Sequence, residues 1–140
     1  MKRVLLIEDD DVKANDIISF IGDEFGYHID RRNSITAGLR LIQNNYEYIL
    51  LDMSLPWFSE NSLRNFEPFG GIEVIKELER KQIQSAVIVI TQYAIFGEGS
   101  LKRTLEDIKN QCQGYKINFI DVIKYSRDAI IWKDILKKYL

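Results

Sequence analysis

The stretch Tyr48-Ile49-Leu50-Leu51-Asp52, followed by Met53-Ser54-Leu55-Pro56, constrains the fold of this chain more than any other. A short continuous apolar run fits a strand covered on both faces, as in a parallel sheet. Pro56 has no amide hydrogen to give to a ladder, so the chain leaves the sheet there. Asp52 then stands at the carboxyl edge, where open α/β sheets place their ligands. It reads as a reactive carboxylate to which the other strands bring partners.

The same pattern recurs along the chain. Val4-Leu5-Leu6-Ile7 runs into Glu8-Asp9-Asp10-Asp11, Ala86-Val87-Ile88-Val89-Ile90 into Thr91, and Ile117 to Ile123 into Lys124. Tyr27 to Arg31 is a more polar strand that suits a sheet edge. Helical spacing links these runs. The first helix covers Val12 to Glu24, with Ala14, Ile17, Ile18, Ile21 and Phe25 on its stripe, a cap at Asp10 or Asp11, and a break at Gly26. Ser34 caps a second over Ile35 to Asn44, with Leu39 and Ile42 inward. A third runs from Ile72 to Lys81 on Ile75 and Leu78. A fourth, after a loop with Gly97 and Gly99, runs from Leu101 to Gln113 on Leu101, Leu105, Ile108 and Cys112. The last starts at Ser126 or Asp128 and carries Ile131, Ile135 and Tyr139. Five such alternations predict one α/β domain over residues 1–140. Its fold class is a flavodoxin-like, doubly wound, five-stranded parallel sheet, order 2-1-3-4-5, with right-handed crossovers and helices on both faces.

Composition agrees and excludes several classes. A chain of 140 residues suits one domain, and 46% apolar with 29% charged residues is an ordinary globular mixture. A formal charge of −2 gives no general pull toward nucleic acid or anionic lipid. The apolar run after Lys2 and Arg3 is too short for a signal peptide, and none reaches membrane length. Cys112, the single cysteine, has no internal partner; it reads as core packing in a reducing cytoplasm. His28, the single histidine, lies on the polar edge strand and reads as exposed. The long connection from Trp57 to Phe69 carries four aromatics between Pro56 and Gly70-Gly71, and reads as a partly structured loop with a local hydrophobic cluster.

The strand ends carry the chemistry. Glu8 and Asp9, Asp52, Thr91 and Lys124 meet on one edge of the expected sheet. Clustered carboxylates repel one another, and burial worsens the repulsion. Mg²⁺ relieves it with oxygen ligands and joins carboxylates to phosphate oxygens. A carboxylate is also a nucleophile toward phosphorus, giving an aspartyl-phosphate. Lys124 supplies further neutralisation, and the Thr91 hydroxyl donates to a phosphoryl oxygen. A capped helix start alone explains Glu8 to Asp11 but not Asp52.

Taken together, Val4 to Asp9, Leu50 to Pro56, Val87 to Thr91 and Lys124 resemble the receiver domain of two-component response regulators over nearly the whole chain. The resemblance implies that Asp52 accepts a phosphoryl group from a histidine kinase or a phosphotransfer protein. It implies Mg²⁺ on Glu8, Asp9, Asp52 and the Ser54 backbone carbonyl, with Thr91 following the phosphoryl group and Lys124 pairing with it. The output is a changed surface around helix 4, strand 5 and helix 5, read by a downstream protein. A cytoplasmic switch without an output domain of its own is expected: not an enzyme, without nucleic-acid or membrane contact, and compatible with a homodimer. The chain departs from the family at Tyr125, where the family has proline after the lysine, at Asp121, where the family has a switch aromatic, and in the longer segments between Asp52 and the helix at Ile72 and between Thr91 and strand 5. A trans bond is expected before Tyr125. The alternative is a degenerate receiver that works by protein contact without phosphate. An aspartyl-phosphate phosphatase would want a second aspartate at position 54, where serine stands, and nucleotide binding would want a Gly-rich loop after strand 1.

Overall fold

The computed structural model of the chain describes residues 1–59, 66–92, 95–96, 99 and 102–140. The main sheet has β1 (Arg3–Ile7), β2 (His28–Arg32), β3 (Tyr48–Leu51), β4 (Ala86–Thr91) and β5 (Asn118–Lys124). All pairings in it are parallel, and the order is β2-β1-β3-β4-β5. This is the expected topology. Among the described residues four helices connect the strands, α1 (Asp11–Phe25), α2 (Ile35–Leu39), α3 (Gly70–Arg80) and α4 (Leu105–Gln113), and α5 (Ile131–Tyr139) follows β5.

The side-chain period of a strand explains the two layers. Alternate residues point to opposite faces, and both faces of a doubly wound sheet are covered. Leu5, Ile7, Ile49, Leu51, Val87 and Val89 share one core with Ile35, Ile75, Leu78, Ile108 and Cys112, from α2, α3 and α4. Val4, Leu6, Leu50, Ile88 and Ile90 share the other with Ala14, Ile17, Ile21, Trp132 and Leu136, from α1 and α5. Truncating a central residue such as Leu50 removes contacts worth about 2–5 kcal/mol. Cys112 is buried and unpaired, as core packing requires. His28 is exposed on edge strand β2, against Asp30. No helix among the described residues is long and apolar enough to cross a membrane.

Several boundaries differ from the sequence reading, each for a local reason. Helix α2 stops at Leu39 and not at Asn44. The amides of Leu41 and Asn44 reach back three residues, to Gly38 and Leu41, so the chain tightens into turns before Asn45 at positive φ. Ile42 is nonetheless buried. Helix α5 starts at Ile131 without a side-chain cap, so neither Ser126 nor Asp128 begins it. Its inner face is Trp132 and Leu136, and Ile131 is 67% exposed. Helix α4 begins at Leu105 because Thr104 and Asp107 form a capping box; the proposed first turn at Leu101 lies outside the described residues, as does Gly97. Part of the Trp57 to Phe69 connection is ordered as a ribbon of Leu55–Pro56 against Phe66–Glu67. Trp57 and Phe69 pack against the core, while Phe58 and Phe66 are exposed.

Helix α3 begins two residues earlier than the periodicity suggests, with Gly70 and Gly71 as its first residues. The Gly71 amide donates to the Met53 carbonyl at 2.8 Å. A Cβ at Gly71 would lie 2.7 Å from the Asp52 carbonyl oxygen and 3.0 Å from Met53 Cα, both backbone atoms that cannot turn aside. Gly71→Ala is therefore expected to lower stability by about 1–3 kcal/mol, despite the better helix propensity of alanine. Urea denaturation checks this, and a stabilised variant would contradict the close approach.

Candidate functional site

The β1–β3 ladder sets the site. Ile7 pairs with Leu51, and the residues that follow them are Glu8 and Asp52. The Asp52 amide donates to the Ile7 carbonyl, and the Glu8 amide to the Arg32 carbonyl, so both backbones stay in register past the strand ends. Arg31 donates through Nε and Nη2 to the Glu8 carbonyl at 2.9 and 2.8 Å, and through Nη1 to Asp11. Asp10 caps α1 by accepting from the amides of Val12 and Lys13, and its own amide donates to Glu8 Oε2.

Carboxylate oxygens of Glu8, Asp9 and Asp52 lie within 4.8 Å of one another. Glu8 and Asp52 are buried, while Asp9 is exposed. A cavity of about 60 Å³ opens onto them, lined also by Asp10, Ser54, Phe66 and Gln92. Asp52 Oδ1 accepts from the Met53 amide at 2.7 Å. Ser54 is buried beside Asp52, and its hydroxyl donates to the Pro68 carbonyl. Thr91 is fully buried at the end of β4, and its carbonyl accepts from the Tyr125 amide.

Lys124 does not join them. Ile123 and Tyr125 are both buried, so the strand period turns the residue between them the other way, and Lys124 is exposed. Among the described residues it makes no ion pair. The ammonium in the site comes from Lys13, which the sequence reading missed. Its Nζ stands 2.6 Å from Glu8 Oε1, 3.2 Å from Asp52 Oδ2 and 2.7 Å from the Ile90 carbonyl, and Lys13 is 1% exposed. The signal was present in the sequence: Lys13 lies one turn before Ile17, on the inward stripe of α1.

The other departures from the family pattern also have places. No cis peptide bond occurs among the described residues, so Tyr125 follows a trans bond. Its hydroxyl donates to Asp16 on α1 at 2.8 Å. Asp121, at the switch-aromatic position, accepts from Tyr139 of α5 at 2.7 Å and pairs with Lys109 of α4 at 3.3 Å. Burial pushes the Asp121 carboxyl upward, but the bonds from Tyr139, Val122 and Lys109 outweigh it and hold it below the ordinary range.

No protein-family model matches the chain. Solved structures do. A response regulator from Colwellia psychrerythraea superposes with a TM-score of 0.69 at 20% identity, over 99% of this chain and 95% of that one. The Thermotoga maritima response regulator TrrA, solved in complex with Mg²⁺ and BeF, superposes with a TM-score of 0.64 at 21% identity over the whole of both chains. The chain has the receiver fold of response regulators. Two curated proteins match it in sequence. The uncharacterized protein y4jR of Sinorhizobium fredii is 28% identical over 142 aligned residues, covering 96% of this chain and 94% of the relative. The Detocs response regulatory protein DtcB of Enterobacter cloacae is 24% identical, covering 96% of each. Within the receiver fold, the acidic cleft between β1 and β3 is the topological switch point, where such sheets take their ligands.

Electrostatics follow from crowding. Burial, and secondarily repulsion from Asp52, push Glu8 up to about 8 against the pull of Lys13. Burial and the Asp52 charge also raise Asp9. Glu8 thus keeps its proton in the fold to about pH 8. In the unfolded chain that proton is lost near the ordinary value of 4.5. Between those values the folded chain binds more protons, so each rise in pH weakens the fold. In metal-free buffer the stability of the wild type is expected to fall across this window relative to Glu8→Gln. Urea midpoints at both ends of the window check this, and equal pH slopes for the two proteins would contradict the raised Glu8.

Proposed function

We propose that the chain is a phosphoacceptor switch in which Asp52 takes a phosphoryl group with the help of Mg²⁺. The observation that carries this is the meeting of three carboxylates and one buried ammonium at the switch point of a receiver fold. The donor set is all oxygen and rich in carboxyl groups, which suits a hard divalent cation. Glu8, Asp9, Asp52 and the Ser54 backbone carbonyl would hold it. When bound, Mg²⁺ neutralises phosphoryl oxygens and orients them for in-line transfer.

The chain's own residues do the rest. Asp52 supplies the nucleophilic oxygen at the cleft, with its other oxygen steadied by the Met53 amide. The Thr91 hydroxyl, at the end of β4, donates to the transferred group. Its movement shifts the segment after β4 and so the face formed by α4, β5 and α5. The donor is a phosphohistidine on a histidine kinase or a phosphotransfer protein, and the altered face meets a downstream protein in the cytoplasm. The chain is an acceptor and not an enzyme acting on a separate substrate.

Incubation with Mg²⁺ and phosphoramidate, followed by intact-mass measurement, tests this reading. The wild type is expected to gain the mass of one phosphoryl group, and Asp52→Asn to gain none. An unlabelled wild type, under conditions that label a control receiver, would contradict it. Because the metal must displace the proton held by Glu8, Mg²⁺ affinity is expected to rise from about pH 6 to about pH 8 with release of protons. Calorimetric titration in two buffers of different ionisation heat measures that release. A pH-independent affinity would show that Glu8 is already ionised.

A further inference from the structure

We propose that Lys13, on α1, is the ammonium that pairs with the phosphoryl oxygens on Asp52, the task the family resemblance gives to Lys124. The inference rests on the phosphoacceptor reading and deepens it. Lys13 Nζ touches Asp52 Oδ2 at 3.2 Å and Glu8 Oε1 at 2.6 Å, and Lys13 lines the cavity that shares Asp10 and Gln92 with the acidic one. Lys124 is exposed between two buried neighbours.

The surroundings are built for this exchange. An ammonium has three donors. One is fixed on the Ile90 carbonyl at 2.7 Å, which anchors Lys13 to the carboxyl end of β4, one residue before Thr91. Its other close contacts, to Glu8 Oε1 and Asp52 Oδ2, point the ammonium at the carboxylate on which a phosphoryl group would arrive. Tyr125 follows Lys124 where the family carries proline. Its buried ring lies 5.8 Å from Lys13 Nζ, and its hydroxyl bonds Asp16 three residues further along α1. The residue that replaces proline therefore clamps the helix that delivers the replacement lysine. A purely structural account is weaker. A buried ion pair is often no more stabilising than apolar packing, and Lys13 occupies the apolar stripe of α1.

With phosphoramidate as donor, an Asp52 oxygen forms the new O–P bond while the donor P–N bond breaks. The donor nitrogen, already protonated as –NH3+ in phosphoramidate, takes the P–N electron pair and departs as ammonia. The Lys13 ammonium opposes the charge on the phosphoryl oxygens.

Wild type, Lys13→Met and Lys124→Met separate the possibilities, through labelling rates with phosphoramidate and Mg²⁺ titrations without donor. Lys124→Met is expected to label like the wild type. Lys13→Met is expected to label on the order of a hundredfold more slowly. It should also bind Mg²⁺ at least as tightly, because one competing cation is gone. A merely structural lysine would weaken metal binding together with labelling, since the carboxylates would no longer be held in place. Labelling of Lys13→Met at the wild-type rate would overturn the assignment. So would loss of labelling in Lys124→Met, which would leave the phosphoacceptor reading standing. A wild type that takes no label defeats both. Should Lys13→Met not fold, NMR of the lysine Cε signals in the wild type decides. On labelling, the Lys13 signal is expected to move and that of Lys124 to stay; the reverse would overturn the assignment.

Discussion

The Lys13 ammonium, held between Glu8, Asp52 and the Ile90 carbonyl, is the contact on which the rest of this structure turns. Parallel pairing of β1 and β3 brings two carboxyl groups to one buried edge, whatever their charges. Their repulsion must be met by a proton, a metal or a cation from the chain. Here α1 provides the cation, and its single side chain ties that helix to the ends of β1, β3 and β4. The same neighbourhood leaves Glu8 protonated to about pH 8, so the site holds a proton as well as a counter-ion.

Backbone architecture fixes the cleft with little freedom. Gly71 lets the start of α3 lie against the Asp52 and Met53 backbone at a distance that admits no side chain. Arg31 fastens the loop after β1 from the edge strand, and Asp10 closes the first turn of α1 beneath Lys13. On the far face, Asp121 joins α4 to α5 through Lys109 and Tyr139, at the position where the family resemblance leads one to expect an aromatic. A polar tie there couples the two helices by charge and hydrogen bonding, where an aromatic would do so by packing.

The sheet was legible in the sequence because its strands are short apolar runs that end in polar residues, and periodicity reports that pattern directly. Strand order and the acid cleft followed from the alternation of elements. What escaped notice was governed by side-chain direction and by turns of the chain. A lysine on an amphipathic helix reads as solvated, although Lys13 shares a stripe with Ile17. Lys124 read as a site residue because it ends a strand, but the burial of Ile123 and Tyr125 decides its face. Helix α5 rotates to bury Trp132 in place of Ile131, a choice made by the cavity it fills against Phe20 and Tyr125. The shortening of α2 depends on backbone bonds that side-chain patterns do not report.

A crystal structure grown with Mg²⁺ and beryllofluoride, a mimic of the phosphoryl group, bears most directly on the account. Beryllium bonded to an Asp52 oxygen, with Lys13 Nζ at hydrogen-bonding distance from a fluoride and Lys124 in solvent, is the predicted result. An Asp52 without the adduct under saturating conditions, or an adduct met by Lys124 with Lys13 turned away, would contradict it.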